Sequence, residues 1–183
     1  MRRERGFTLV ELLVVLVILG GLVGLAVLST GVAGTSRELR GEAERLAGLV
    51  SVLVEEAVLD NREYGLRFAA GGYQVVRYDE GLARWVARER GDHQLPEWAR
   101  VSVELEGQPL RLPAPGNQQS LEEEADEDDE EKTVDALQPQ LLILSSGELS
   151  PFRVRLEEKR PGGLRLQLAS DGFTLPRVEV IDK

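Results

Sequence analysis

The sequence predicts an α+β protein, in which a long N-terminal helix packs on a domain of antiparallel β-strands arranged as one sheet or two. Residues 7–28 form an apolar run, and residues 39–57 repeat apolar side chains at alternating steps of four and three. The first pattern indicates a hydrophobic helix and the second a helix with one buried face. After Arg62 the chain changes to short alternating stretches separated by glycine-containing turns, which indicates strands.

The apolar run is long enough to cross a membrane. As a helix, Phe7 to Leu28 would measure about 33 Å, slightly more than the hydrocarbon core of a bilayer. The arginines before it favour a cytoplasmic N-terminus. We therefore expect a single membrane span, with its N-terminal end in the cytoplasm and the rest of the chain on the other side.

A cleaved secretory signal is the first alternative, with Gly31 to Ala33 as its cleavage site. The run is longer than the usual apolar core of a signal peptide. It also contains Glu11, and a carboxylate inside a membrane segment costs about 2.5–3.5 kcal/mol on insertion scales. Glu11 therefore requires a partner, which a discarded signal would not need.

The residues around Glu11 form a motif, Arg5-Gly-Phe-Thr-Leu-Val-Glu-Leu12, which resembles the processing site of type IV pilins and type II secretion pseudopilins. The resemblance implies that residues 1–6 are a leader and that a prepilin peptidase cuts between Gly6 and Phe7. It implies a single-pass protein of the bacterial inner membrane, with a transmembrane and assembly helix at 7–33 and a periplasmic domain at 34–183. It also implies N-methylation of Phe7 and pairing of Glu11 with the new amino group of a neighbouring subunit. Phe7 and Glu11 share a helix face, so pairing within one chain stays open.

A second helical segment follows the apolar run. Thr35 to Glu38 has the spacing of a capping box, and the helix is expected to end near Asp60. Gly31 and Gly34 weaken a helix between the two segments by up to about 1 kcal/mol each, so near continuity with a flexible joint is expected. The predicted buried stripe consists of Leu39, Ala43, Leu46, Val50, Leu53 and Ala57.

The remaining pattern predicts eight strands. The first three, joined by the turns at 69–72 and 79–81, form a meander. The predicted strands are Tyr64–Phe68, Tyr73–Tyr78, one near Arg84–Ala87, Trp98–Leu105, Leu141–Leu144, Phe152–Leu156, Leu164–Leu168 and Arg177–Ile181.

Residues 113–139 are predicted to be an acidic mobile loop. Glu122 to Lys132 contains nine acids and one base, and it carries most of the net charge of -10. The rest of the chain is near neutral and has no basic stripe, so nucleic acid is not an expected partner. Such a run usually stays solvated. Calcium is the alternative ligand, but the run lacks the spaced ligands and glycine of an EF-hand, so no metal and no cofactor are expected.

The resemblance extends into the domain, where several short motifs look like those of the H-type minor pseudopilins (the GspH family). It implies a non-enzymatic subunit that links the I-, J- and K-type tip pseudopilins to the major G-type shaft and helps to push folded exoproteins through the outer membrane. The motifs are at 42–46, 56–60, 62–66, 72–73, 78–79, 146–152 and 171–172.

Two other functions compete with this interpretation. A FimT- or FimU-like minor pilin of a type IV pilus would share the leader, but many such pilins have a disulfide, and this chain has no cysteine. An enzyme is the second alternative. His93, the single histidine, lies in a polar stretch before Pro96 and is expected to be a loop residue, and no catalytic motif is present. We therefore expect no catalytic residue.

Overall fold

The computed structural model describes residues 9–113 and 137–181, and of residues 24–33 it describes only the backbone. The chain divides into two compact units, Met1–Glu38 and Leu39–Lys183. The elements in these ranges are α1 (Leu9–Asp60), β1 (Tyr64–Ala69), β2 (Gly72–Asp79), β3 (Arg84–Gln94), β4 (Ala99–Leu105), β5 (Gln108–Pro109), β6 (Leu141–Ile143), β7 (Phe152–Glu158), β8 (Arg165–Ser170) and β9 (Arg177–Val180).

Helix α1 is 52 residues long and passes through Gly31 and Gly34 without a break. It ends at Asp60, as predicted. Asn61 follows with a positive φ of 51°, and the amide of Arg62 donates to the carbonyl of Ala57 at 3.1 Å, so a left-handed residue closes the helix. Within the described residues, no helix meets the combined length and hydropathy needed to cross a membrane.

The strands form two antiparallel sheets. Sheet I has the order β3-β2-β1-β6 and sheet II the order β5-β4-β7-β8-β9. In sheet I the predicted meander is present, with Leu66 of β1 opposite Val75 of β2. The predicted α+β class with an antiparallel domain is therefore confirmed, and of the two arrangements left open the chain adopts two sheets.

One hydrophobic core joins the C-terminal part of α1 to both sheets. All six residues of the predicted helical stripe are at most 2% exposed, and they belong to the same buried cluster as Leu66 of sheet I and Leu168 of sheet II. A fully buried leucine contributes about 1.5–3 kcal/mol to stability. The stripe is therefore the element that holds the two sheets together.

Two features of the sheets differ from the prediction. Strand β3 was expected to stop near Ala87 but continues to Gln94, because its pairing with β2 shifts register between Gln74 and Val76 and then resumes. Such a bulge interrupts the alternation from which strands are recognised. Strand β5, only two residues long, was not predicted, since so short a strand leaves no periodic pattern.

The predicted acidic loop falls mainly on residues 114–136, which lie outside the described residues. Its two flanks are attached to the same region of sheet I. The carbonyl of Pro113 accepts from the amide of Ala70 at 3.0 Å, and the side-chain oxygen of Gln140 accepts from the amide of Phe68 at 2.6 Å. Pro113 and Gln140 therefore both lie near the β1–β2 turn.

Candidate functional site

Glu11 lies in the first turn of α1 and is exposed. A carboxylate at this end of a helix is favoured by the partial positive charge of the free backbone amides. Gly6 and Phe7, the other two predicted site residues, lie outside the described residues. The structure thus places Glu11 at the helix start, where a charged group of a second chain could reach it.

The helix around Glu11 presents an extended apolar surface. Every large apolar side chain from Leu9 to Val23 is exposed, with values from 43% at Val15 to 79% at Leu9. An apolar surface of this size indicates a protein or membrane contact. The first turns of α1 are therefore suited to an apolar environment, and Glu11 is the carboxylate that they carry into it.

In the second unit, two polar contacts join α1 to strand β3 of sheet I, in addition to the hydrophobic core. At the first, Glu42 of α1 contacts His93 of β3, with 2.5 Å between Oε2 and Nε2. The centre of the His93 ring also lies 5.0 Å from that of the Tyr73 ring in β2, with the two rings tilted by 40°. The expectation that His93 is a loop residue was wrong, because the strand continues past the bulge. His93 anchors the end of an edge strand to the helix.

The second attachment lies four helical turns further along α1. Arg88 of β3 donates to both carboxylate oxygens of Glu56, at 2.7 and 3.1 Å, and its guanidinium lies 6.0 Å from the centre of the Tyr64 ring. The Tyr64 hydroxyl donates to Asp60 at 3.2 Å. Burial, together with these carboxylates, raises the pKa of Tyr64. Strand β3 contains no fully buried residue, so these polar contacts are its main link to the helix.

The ionisation of Tyr73 can be used to test the packing beneath β3. Burial raises its pKa to about 12, whereas an unfolded chain ionises near 10. Between these two values only the unfolded state loses the proton, so stability falls as pH rises, by up to about 2–3 kcal/mol in total. We expect Tyr73→Phe to remove this loss in urea unfolding of the full chain in detergent at pH 9 to 12. Tyr78→Phe is the control, and an unchanged slope in Tyr73→Phe would contradict the prediction.

Two features of the described residues bear on catalysis, namely metal-ligand groups and cavities. No group of three histidine, cysteine, aspartate or glutamate residues within them could hold a metal ion, and the acidic run lies outside them. A cavity of about 200 Å³ in the described part is an open hollow beside Glu104, Arg153 and Ser170. Both arginines that contact Glu104, at positions 153 and 155, belong to the outer face of sheet II.

Two family models match the chain. The prokaryotic N-terminal methylation motif matches residues 1–20, which contain Gly6, Phe7 and Glu11. The model of the type II transport protein GspH matches residues 42–172, most of the second unit. The chain belongs to the GspH family. The family predicted from the motifs is therefore confirmed.

Relatives that are named as GspH proteins support this family membership over nearly the whole length of the chain. The chain is 61% identical over 180 residues to type II secretion system protein H of Pseudomonas aeruginosa, covering 98% of each. It is 34% identical to the protein of the same name from Aeromonas hydrophila, over 87% of this chain and 85% of the relative. These relatives favour the secretion interpretation over the type IV pilus alternative.

Solved GspH structures share the fold. The minor pseudopilin EpsH of Vibrio cholerae superposes with a TM-score of 0.55 at 20% identity, covering 80% of this chain and 95% of that one. The solution structure of Escherichia coli GspH gives 0.54 at 18% identity, covering 81% and 91%. The helix and two sheets described above are thus the architecture of GspH pseudopilins.

Proposed function

We propose that this GspH protein is a minor pseudopilin that links the I-, J- and K-type tip subunits to the major G-type shaft and helps to push folded exoproteins across the outer membrane. It acts without catalysis. The observation that supports this proposal most is the exposed apolar surface of the N-terminal part of α1, with Glu11 in its first turn. That combination serves assembly within a low-dielectric bundle of helices.

The same surface serves two successive environments. Before assembly, the helix over 7–33 anchors the chain in the inner membrane with residues 34–183 in the periplasm. In the pseudopilus, neighbouring helices replace the lipid around side chains such as Leu9 and Leu16, which are 79% and 68% exposed in the isolated chain. Both environments are apolar, so the transfer leaves the buried hydrophobic area nearly unchanged.

Glu11 supplies the direction and register that apolar contacts lack. Cleavage by the prepilin peptidase between Gly6 and Phe7 creates an amino group at the membrane end of the helix, and methylation of Phe7 leaves it basic. Removed from water, that charge is stabilised strongly by a carboxylate. We propose that Glu11 pairs with the amino group of the subunit above, so a chain that keeps Glu11 takes a place below the tip.

The test is incorporation into the pseudopilus. We expect Glu11→Ala and Glu11→Gln to insert normally into the inner membrane but to lower incorporation about tenfold or more, because an amino group loses its counter-charge in an apolar bundle. Incorporation is measured as the amount of G-type subunit that co-purifies with the tagged chain from cross-linked cells that express the whole secretion system.

Glu55→Gln is the matched control, because it makes the same change at an exposed position of the same helix. It should incorporate like the unsubstituted chain. Normal incorporation of both Glu11 variants would refute the charge-pairing role. Failure of the unsubstituted chain to co-purify with any pseudopilin would refute the proposed function itself.

A further inference from the structure

The outer face of sheet II is lined by charged side chains. Side chains alternate along each strand, and those that point into the core, such as Val154 and Leu168, are fully buried. The opposite side of β4, β7, β8 and β9 presents five arginines and three glutamates, which we call the arginine face. It therefore has an excess of positive charge, in a chain whose net charge is -10. Its arginines are Arg100, Arg153, Arg155, Arg165 and Arg177.

The glutamates of the arginine face balance only part of its charge. Glu104 of β4 accepts from both Arg153 and Arg155 of β7, at 3.0 and 2.6 Å, so one carboxylate serves two guanidinium groups. Within the described ranges, Arg100 and Arg177 are exposed and make no hydrogen bond or ion pair with another side chain. The face therefore keeps positive charge that is available to a further carboxylate.

Strand pairing leaves room for such a carboxylate between two of the arginines. Arg153 of β7 lies opposite Ala169 of β8, and Ala169 lies opposite Arg177 of β9. Since neighbouring strands are about 4.8 Å apart, the backbones of Arg153 and Arg177 flank the small Ala169 at a separation of about 10 Å. Among the described residues, no large apolar side chain of β4, β7 or β8 is exposed. The arginine face therefore suits an acidic occupant and not an apolar one.

The same chain contains an acidic segment of opposite charge. Glu122 to Glu131, the acidic run, has nine acids and no base. It lies outside the described residues, but the chain that leads to it starts beside the arginine face. The amide of Leu110 donates to the carbonyl of Val103 in β4 at 2.8 Å, so the chain after β5 continues along the edge of sheet II.

The connection to the acidic run is long enough to cross this sheet. Residues 114–121 precede the run, and fully extended they span at most about 29 Å. The five strands of sheet II are about 19 Å wide in total. Every arginine of the face is therefore within reach of the acidic run of the same chain.

We infer that the acidic run docks on the arginine face of its own chain. A guanidinium group binds a carboxylate through two parallel hydrogen bonds. Single exposed ion pairs contribute little, so docking depends on several pairs that form together. Attachment to the same chain gives the run a high effective concentration at the face, which a separate acidic molecule lacks. The contact forms whether or not the chain acts as a minor pseudopilin.

The experiment introduces an amine into the arginine face. Arg177→Lys keeps the positive charge, and a carbodiimide then joins a lysine to any carboxylate in contact with it. We expect peptide mapping of the full-length chain in detergent to find position 177 joined to the acidic run. The yield should fall about fivefold or more between low salt and about 0.5 M sodium chloride, because salt screens exposed charges.

Arg84→Lys is the matched control, because it makes the same change at an exposed position of an edge strand in the other sheet. It should give no cross-link to the acidic run. A mixture of isotope-labelled and unlabelled chains separates links within one chain from links between two. Absence of the link at position 177, an equal yield in Arg84→Lys, or a yield that salt does not change overturns the inference. Links found only between two chains also overturn it, because a second copy then occupies the face.

Discussion

Replacement of Gly6 by valine is expected to leave residues 1–6 attached to the protein and Phe7 unmethylated. A peptidase must bring its catalytic groups against the backbone of the bond that it cuts, and a residue without a Cβ permits the closest approach. A branched side chain at Gly6 obstructs that approach. Intact mass measurement of the purified chain should show the whole leader in Gly6→Val and its absence in the unsubstituted protein.

Gly20→Val is the matched control, because it makes the same change within helix α1, at a position where an added Cβ meets nothing within 4 Å. It should be cleaved and methylated normally. Mature protein with an unchanged N-terminus from the Gly6 variant would show that the cut lies elsewhere. A leader retained in both variants would instead point to impaired insertion of the helix.

The parts of the fold that follow from local periodicity could be predicted from the sequence. The stripe from Leu39 to Ala57 repeats with the helical period, and all of it is buried. Strands such as β4 alternate strictly, with Val101 and Val103 buried and Ser102 partly exposed. Because each pattern depends only on near neighbours in the chain, no knowledge of the partner element was needed.

Features that depend on distant pairing could not be predicted. The continuation of β3 depends on the register shift against β2, and in the sequence Arg88 to Asp92 appears only as a charged stretch. The contacts of Glu42 with His93 and of Glu56 with Arg88 join residues 51 and 32 positions apart. A lone histidine and an ordinary arginine carry no local signal of such a partner.

The residues of the candidate site also differ in how well the sequence predicts them. Gly6, Phe7 and Glu11 form one continuous motif, so they were found from the sequence, and their roles stay predictions. The contact of Glu42 with His93 was not found, because the two residues come from separate elements that only the fold brings together.

Leu53→Ala is expected to destabilise the protein strongly. Leu53 is 0% exposed and belongs to the core shared by both sheets. Truncating a buried leucine removes apolar contacts and leaves a cavity, at a cost of about 2–5 kcal/mol. For a protein of this length, that lowers the thermal midpoint by about 2–4 °C for each kcal/mol. Urea unfolding of the full chain in detergent, followed by circular dichroism, measures the change.

Val52→Ala is the control, since it is the adjacent helical position but is 49% exposed. Its effect should stay within about 0.5 kcal/mol. The comparison also tests whether the helix and both sheets unfold together. If Leu53→Ala shifts the helical signal but leaves the strand signal in place, the stripe does not join the sheets into one cooperative unit. Equal effects of the two substitutions would contradict the packing of α1 described above.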